Sequence, residues 1–236
     1  MTRGLILDFG GVISRTLFET HADTEAALGL PAGTLTWRGP FATGEGGDRD
    51  PLWEAMQRNE LSERAYWLQR TREVGALLGE DWQHMETLVQ RARGADPDRV
   101  IRPETVALIE AARAAGCHLA ILSNELDLFY GAALRQRVAC LRHFDAIVDA
   151  TYTGILKPDP AAYSAALDAL HLRAADCVFV DDQARNVDGA RAVGLPTVWF
   201  DVRHPAASCA EAAARLQLPH GPSPDTRSTM PAHEPD

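Results

Sequence analysis

Six polar residues follow apolar runs of the chain at points where strands are predicted to end. They are Asp8, Ser123, Asn124, Lys157, Asp181 and Asp182. Parallel strands end at the same edge of a sheet, and ligands bind outside that edge, so we expect these side chains to share one site. Taken singly, several have a simpler interpretation, because Ser123 or Asn124 can cap a helix and Lys157 can point to solvent.

The acidic pair formed by Asp181 and Asp182 is harder to explain structurally. Two adjacent carboxylates repel each other, and with Asp8 nearby the site would hold three negative charges that require a cation or a shifted proton. Hard oxygen ligands favour Mg²⁺, which binds one or two carboxylates together with a substrate phosphate. The pair therefore favours a magnesium site over a purely structural one.

A bound phosphate would also explain the remaining polar residues. Lys157 would supply a second positive charge, while Ser123 and Asn124 would donate hydrogen bonds to phosphoryl oxygens. Attack by the Asp8 carboxylate would give an aspartyl-phosphate that water then hydrolyses. The predicted reaction class is phosphoryl transfer.

The strands that position these residues are predicted from five short apolar runs, at 4–9, 118–122, 146–150, 177–180 and 196–200. Helical segments are predicted between them, at 103–115, 126–139, from 158 onward and at 186–193. Strands that alternate with helices in this way indicate right-handed crossovers and a parallel sheet covered on both faces. We therefore expect an α/β core with a doubly wound, Rossmann-like parallel sheet.

Residues 15–97 break this alternation and are far longer than an ordinary loop of about 4–6 residues. We interpret them as a helical insertion between core segments 1–14 and 98–205, with Trp53, Tyr66, Trp67 and Trp82 forming its own core. A further helix is predicted at 206–218. Residues 219–236 are rich in proline and poor in large apolar side chains, so a disordered tail is predicted there.

The composition narrows the function classes. The net charge of −10 argues against a nucleic-acid-binding surface, because such surfaces neutralise phosphates with cations. No apolar run approaches the roughly 20 residues that span a bilayer, and no secretory signal pattern is present, so a cytoplasmic protein without membrane contact is expected. The four cysteines are widely spaced, which predicts buried, reduced thiols.

Four segments carry a family resemblance, namely LDFGGVI, ILSNE, LKPDPAAY and VFVDDQARNVDGARAVG. In this order they resemble the motifs of the haloacid dehalogenase superfamily of hydrolases, over about residues 3–203, and the insertion resembles that superfamily's first type of cap. The chain is also similar to the phosphatase domain at the N-terminus of mammalian soluble epoxide hydrolase. The resemblance implies a small-molecule phosphate ester as substrate and Mg²⁺ as cofactor.

The resemblance also implies roles for the motif residues. Asp8 resembles the nucleophile, Lys157 the lysine of the third motif, and Ser123 and Asn124 the phosphate-binding residues of the second. The resemblance thus assigns each of them a contact with the phosphoryl group.

The metal-binding roles follow from the same resemblance. Asp8, the carbonyl of Gly10, and the pair Asp181 and Asp182 resemble the metal-binding set, with Asp182 as a direct ligand. Asn186 matches a residue that supports the metal site in the epoxide-hydrolase-like members, but it can equally be a helix N-cap.

One position departs from the usual pattern. Phosphatases of the superfamily carry a second aspartate two residues after the nucleophile as general acid and base, and this chain has Gly10 there. General acid–base catalysis typically contributes about 10²–10⁴-fold, so the loss should weaken turnover without abolishing it. The side chains that could replace the missing acid are Glu125, His21, Glu45, Asp48 and Asp50.

Three functions remain open on the sequence. We favour a Mg²⁺-dependent phosphatase that acts through an aspartyl-phosphate. A metal-independent 2-haloacid dehalogenase would also lack the second aspartate, but the acidic pair would repel its carboxylate substrate. A catalytically weak protein that binds a phosphorylated metabolite is the third, and the intact Asp8 argues against it. Specificity should come from the insertion, where Phe18, Trp37, Arg38 and Phe41 are candidates for the pocket wall or for structural roles.

Overall fold

The computed structural model describes residues 2–43, 49–93 and 97–219. Five parallel strands form one sheet in these ranges, in the order β3-β2-β1-β4-β5. The strands are β1 (Gly4–Leu7), β2 (His118–Ser123), β3 (Ala146–Asp149), β4 (Cys177–Asp181) and β5 (Thr197–Trp199). The α/β fold class predicted from the sequence is confirmed. The candidate acids Glu45 and Asp48, and residues 220–236 of the predicted tail, lie outside the described residues.

The helices of the core alternate with these strands. They are α5 (Pro103–Ala114), α6 (Leu126–Tyr130), α7 (Leu134–Arg137), α8 (Ala150–Thr153), α9 (Pro160–Leu170), α10 (Ala184–Ala192) and α11 (Pro205–Arg215). Proline opens α5, α9 and α11 at the first helical position, where the missing N–H costs nothing.

Apolar side chains alternate across β1 and so reach both faces of the sheet. Leu5 and Leu7 belong to one buried cluster with residues of α5 and α11, whereas Ile6 belongs to another with residues of α9 and α10. A strand buried on both faces is typical of a parallel sheet covered by two helical layers. Strand β1 therefore lies at the centre of the core.

The described residues between β1 and α5 form four α-helices, α1 (His21–Leu28), α2 (Pro51–Gln57), α3 (Glu63–Leu77) and α4 (Met85–Arg93). They share an apolar cluster that is separate from the two clusters of the sheet. Phe18 lies inside it, with its ring 5.1 Å from Trp53 and 5.5 Å from Trp67 between centroids. Phe129 and Tyr130 of α6 pack against the same cluster, so the insertion rests on the core beside the end of β2.

The predicted helix at 126–139 is wrong. The chain forms α6, turns at Gly131 with a φ of 75°, and then forms α7. A positive φ is accessible to glycine because it has no Cβ. Gly131 therefore divides a segment whose composition alone suits one continuous helix.

All four cysteines are buried and free of disulfides. In the described parts of the chain, no helix has both the length and the apolar character that crossing a membrane requires.

Candidate active site

Asp8 begins a tightly folded loop at the carboxyl end of β1. Its N–H still donates to the Val180 carbonyl at 2.9 Å, after which the N–H groups of Ile13 and Ser14 both donate to the Phe9 carbonyl. The buried side chain of Arg102 donates through Nε to the Gly11 carbonyl at 2.9 Å and so holds the loop in place. These backbone hydrogen bonds hold the Asp8 carboxylate at the edge of the sheet.

Lys157 lies between two carboxylates. Its Nζ donates to Asp8 Oδ1 at 2.8 Å and to Asp181 Oδ2 at 2.7 Å, and its side chain is almost completely buried. The predicted meeting of strand ends β1 and β4 with the loop after β3 is therefore present in the structure. A buried ion pair of this kind needs further hydrogen bonds to offset desolvation, and Asp181 has them.

Asp181 and Asp182 have different surroundings despite being neighbours. Both carboxylate oxygens of Asp181 accept hydrogen bonds, from Lys157, from the Gln183 N–H at 2.8 Å and from Asn186 Nδ2 at 3.1 Å. The Oδ1 atom of Asp182 is buried and has no hydrogen-bond partner among the described residues. Asp181 thus positions Lys157, while Asp182 has an oxygen left to bind a cation.

Two successive glycines shape the cavity beside Asp182. Gly11 has a φ of +83°, and a Cβ there would overlap the Asp182 carboxylate. A Cβ at Gly10 would meet no atom within 4 Å. Gly11 is therefore required by the close approach of a carboxylate, whereas the absence of a side chain at Gly10 is not imposed by packing.

Asn124 joins the second and third motifs. Its Oδ1 accepts from the Lys157 N–H at 2.7 Å, and its Nδ2 donates to the Lys157 carbonyl at 3.2 Å. Ser123, the last residue of β2, accepts at Oγ from the Glu125 N–H at 3.4 Å. Both side chains line the cavity that contains Asp8, so the residues predicted to bind phosphate face the predicted nucleophile.

Burial and neighbouring charges shift the pKa values of Asp8, Asp182 and Lys157. Burial raises the pKa of Asp8, Lys157 lowers it by less, and Asp181 raises it again, so that the pKa is about 7. The pKa of Asp182 is raised well above its usual range by burial and then by Asp181 and Asp8. Burial lowers the pKa of Lys157, but the Asp181 and Asp8 carboxylates outweigh it and the net shift is upward. The described site is thus short of positive charge around Asp8 and Asp182.

A cation would fit this arrangement. Oxygens of Asp8, Asp181 and Asp182 lie within 4.8 Å of one another. One buried oxygen of Asp182 lacks a partner, and Asp182 has a strongly raised pKa. Carboxylate oxygens are the ligands that Mg²⁺ prefers.

Asn186 does not cap a helix. Helix α10 begins at Ala184 with Gln183 as its N-cap residue, two positions earlier than predicted, so the interpretation of Asn186 as a helix cap is wrong. Its Nδ2 instead donates to both oxygens of Asp181, and its Oδ1 is buried without a partner in the described structure. Asn186 fixes the orientation of Asp181 and therefore of Lys157.

Two insertion residues that the sequence did not single out reach the site. Glu63, in the first turn of α3, accepts hydrogen bonds from Asn124 Nδ2 at 3.1 Å and Gln183 Nε2 at 3.0 Å, and it pairs with Arg185 at 3.2 Å. Arg64 donates through Nε to Glu125 Oε1 at 2.8 Å. Ser62 caps α3 and could have marked this helix start, but no sequence signal shows that the start faces the sheet edge.

The candidate acids separate into two groups. Glu125 lines the cavity that contains Asp8. His21 is buried against Trp37, with ring centroids 4.3 Å apart, and does not line that cavity. Asp50 caps α2 and is bound by Tyr66 and Arg70, also away from the cavity lining. Of the described candidates, only Glu125 is placed to meet a substrate of Asp8.

The cavity is lined by charged residues of the core and by apolar residues of the insertion. The charged residues include Asp8, Lys157 and Asp182, and the apolar residues are Leu17, Phe18, Trp53, Trp67 and Val89. Of the residues predicted for the pocket wall, Phe18 lines the cavity, whereas Trp37, Arg38 and Phe41 do not.

Comparison with known proteins agrees with this geometry. The family described as haloacid dehalogenase-like hydrolase matches residues 2–194. The chain therefore belongs to the haloacid dehalogenase-like hydrolases, and the family resemblance drawn from the motifs is confirmed.

Individual relatives carry different names. The chain is 36% identical to Protein CbbY of Cupriavidus necator over 137 residues, which cover 57% of this chain and 53% of that protein. It is 34% identical to Phosphatase MT3486 of Mycobacterium tuberculosis over 99 residues, covering 42% and 46%. It is 27% identical to (S)-2-haloacid dehalogenase 4A of Burkholderia cepacia, covering 83% and 78%. The chain thus spans about half the length of the first two relatives, and phosphatases and dehalogenases both occur among its relatives.

The fold recurs in solved structures. The L-2-haloacid dehalogenase from Xanthobacter autotrophicus matches with a TM-score of 0.57 and 20% identity, covering 85% of this chain and 78% of that one. At this identity the likeness concerns the fold alone.

Proposed function

We propose that this hydrolase is a Mg²⁺-dependent phosphatase that removes the phosphoryl group from a small-molecule ester through an aspartyl-phosphate. The observation that supports it most is the buried Oδ1 of Asp182, which has no partner in the described structure although it lies beside Asp8. An unpaired buried carboxylate is costly, and a bound divalent cation would remove that cost.

Asp8, Asp182 and the Gly10 carbonyl would hold the ion. When bound, Mg²⁺ would neutralise charge on the phosphoryl group and favour the ionised form of the surrounding carboxylates. Asp181 would contribute through Lys157, because its own oxygens already accept hydrogen bonds.

Side chains of the protein would bind the phosphoryl group and carry out the nucleophilic attack. Lys157 holds Asp8 Oδ1 and supplies positive charge for the phosphate. The Ser123 hydroxyl lines the same cavity and can donate to a phosphoryl oxygen. Asn124 lines it too, but its Nδ2 already donates to Glu63 and to the Lys157 carbonyl, so its side chain acts by positioning Lys157. An oxygen of Asp8 then attacks phosphorus, the ester P–O bond breaks, and water later displaces the Asp8 carboxylate from phosphorus.

The acidic lining of the cavity supports a phosphatase over a dehalogenase. A 2-haloacid carries a carboxylate, and the cavity is lined by four carboxyl side chains, those of Asp8, Glu63, Glu125 and Asp182, against the two cations Lys157 and Arg15. A bound Mg²⁺ would supply the further positive charge that a phosphate ester needs there.

The test uses hydrolysis of p-nitrophenyl phosphate and calorimetric titration with Mg²⁺. We expect turnover with Mg²⁺, its loss in EDTA, no activity in Asp8→Asn and at least tenfold weaker Mg²⁺ binding in Asp182→Asn. Asp188→Asn is the matched control, because Asp188 is 70% exposed and pairs with Arg191 on its own helix. Release of chloride from 2-chloropropionate in EDTA, with no phosphate released from the ester, would overturn the proposal.

A further inference from the structure

We propose that Glu125 is the general acid and base of this hydrolase, in place of the aspartate that is absent at Gly10. The inference rests on the proposed phosphatase function and adds a catalytic residue to it. Glu125 directly follows the phosphate-facing Ser123 and Asn124, and it lines the same cavity as Asp8 and Gly10.

Glu125 lies where the core meets the insertion. Its backbone N–H is held by Ser123 Oγ, and its carboxylate reaches across to Arg64 of α3. In an in-line reaction the leaving oxygen departs on the side of phosphorus opposite the attacking oxygen. Asp8 lies at the sheet edge and Glu125 is bound by Arg64 of the insertion, and both line the cavity, so we place the leaving group on the side of Glu125.

The two oxygens of Glu125 are not equivalent. Oε1 accepts the hydrogen bond from Arg64 Nε at 2.8 Å, while Oε2 is buried and has no partner among the described residues. The side chain is only 4% exposed. Arg64 therefore fixes the carboxyl through one oxygen and leaves the other without a hydrogen-bond partner and able to carry a proton.

The other carboxylates of the cavity are committed elsewhere. Asp8 is the proposed nucleophile, and Asp182 borders the cation site. Glu63 accepts from Asn124 and Gln183 and pairs with Arg185. In the part of the chain that the structure describes, Glu125 is thus the cavity carboxyl with an oxygen available for proton transfer.

The surroundings of Glu125 shift its pKa to a value at which the group can both donate and accept a proton. Burial is the largest influence and raises its pKa, Glu63 raises it further, Arg64 lowers it, and Asp149 raises it, for a pKa of about 7. A catalytic group works best when its pKa lies near the working pH, because both protonation states are then populated.

Glu125 loses a proton in the first step of the reaction and regains one in the second. As Asp8 forms its bond to phosphorus and the ester P–O bond breaks, Glu125 Oε2–H gives its proton to the leaving oxygen, which departs as an alcohol. The Glu125 carboxylate then takes a proton from the water that attacks the phosphorus of the aspartyl-phosphate. The bond between phosphorus and Asp8 breaks, phosphate leaves, and Glu125 is protonated again.

The experiment compares two substrates in wild type, Glu125→Gln and the control Glu60→Gln. Glu60 is 58% exposed and pairs with Arg58 at the surface. Glycerol 2-phosphate needs a protonated leaving group and p-nitrophenyl phosphate does not. We expect Glu125→Gln to lower kcat for glycerol 2-phosphate by about 10²–10⁴-fold. With p-nitrophenyl phosphate it should still give a rapid burst of p-nitrophenol followed by slow turnover, because the base for the water step is missing.

A rescue experiment distinguishes a catalytic role of Glu125 from a structural one. A Cβ at Gly10 meets no atom within 4 Å, so the Cβ that Gly10→Asp introduces can be accommodated. Glu125→Gln combined with Gly10→Asp should recover at least tenfold of the lost glycerol 2-phosphate activity, which a purely structural role of Glu125 would not allow.

A pH profile of the wild-type chain provides a measurement that needs no variant. Its kcat for glycerol 2-phosphate should fall above about pH 7, while the burst rate with p-nitrophenyl phosphate should not.

The outcomes distinguish the two proposals. Wild-type hydrolysis that Glu125→Gln changes less than twofold, equal losses on both substrates without a burst, or no rescue by Gly10→Asp would each overturn the role of Glu125 and leave the phosphatase function standing. A wild-type chain that hydrolyses neither ester would overturn the phosphatase function and this role with it.

Discussion

Glu63 of the insertion lies 3.1 Å from Asn124 of the core, with Glu63 Oε2 accepting from Asn124 Nδ2. Gln183 and Arg185 bind the same carboxylate from the loop and helix that follow β4. One side chain of the insertion thus contacts two of the motif loops around Asp8. The insertion is held over the cavity by a contact that belongs to the site itself.

Replacing Glu63 by alanine should loosen the insertion. The change removes hydrogen bonds to Asn124 and Gln183 and leaves Arg185 with one carboxylate partner fewer, which should lower the local opening free energy of α3 by about 1–3 kcal/mol. Hydrogen exchange of amides in 63–77 measures this directly. Glu60→Ala is the control, since Glu60 is exposed, and equal exchange in both variants would contradict the predicted role of Glu63.

Replacing Lys157 by methionine should destabilise the whole chain. It leaves the carboxylates of Asp8 and Asp181 buried without their cation, a change that typically costs about 3–5 kcal/mol. Urea denaturation measures the loss, and the double variant with Asp8→Asn should recover part of it because one of the unpaired charges is removed. Arg173→Met serves as control, because the Arg173 side chain is 79% exposed. A Lys157→Met variant as stable as this control would contradict the prediction.

The adjacent glycines should respond differently to alanine. Gly11→Ala forces a Cβ into the Asp182 carboxylate at a positive φ, so we expect a loss of about 1–3 kcal/mol and weaker Mg²⁺ binding. Gly10→Ala adds a Cβ in open space and should change stability by less than about 1 kcal/mol. Thermal denaturation with and without Mg²⁺ tests the pair, and similar melting temperatures for the two variants would argue against the packing described for Gly11.

His21 should make stability depend on pH. Burial, with help from Arg38, lowers its pKa to about 4, below the usual value of 6.5. Between these pH values the unfolded chain binds a proton that the folded chain does not, so the His21 contribution makes stability fall as pH decreases from 6.5 to 4.

His21→Phe should therefore flatten this pH dependence and keep the aromatic contact with Trp37. Denaturant titrations at pH 7, 6, 5 and 4 measure the slope. His84→Phe is the comparison at an exposed histidine, and an unchanged slope in His21→Phe would show that other groups cause the dependence.

Much of the fold could be predicted because the strands of this sheet are short apolar runs bounded by polar residues. The run at 4–9, which contains Asp8, and the run at 177–180, which Asp181 follows, each predicted a strand to within two residues of its observed end. The periodic signal was weaker after β2, where residues of helical composition are interrupted by Gly131, whose positive φ is not visible in composition. The local sequence pattern therefore predicts the strand ends that carry the motifs more accurately than the helices between the strands.

The parts of the site that could not be predicted depend on contacts between distant residues. Glu63 and Arg64 reach residues 61 positions away in Asn124 and Glu125, and no local pattern encodes such a pairing. Asp50 is one of the candidate acids that the sequence predicts, yet it is 1% exposed and held by Tyr66 and Arg70. Only the packing of the insertion distinguishes a buried structural carboxylate such as Asp50 from a cavity carboxylate such as Glu125.

The central position of β1 in the sheet has a consequence for how the protein is made. The strand that carries Asp8 is synthesised first, but its neighbours β2 and β4 come from residues 118–123 and 177–181. A ribosome-bound chain that stops short of residue 181 therefore contains Asp8 without Asp181 or a complete sheet around it. The site around Asp8 can be assembled only after residue 181 has left the exit tunnel.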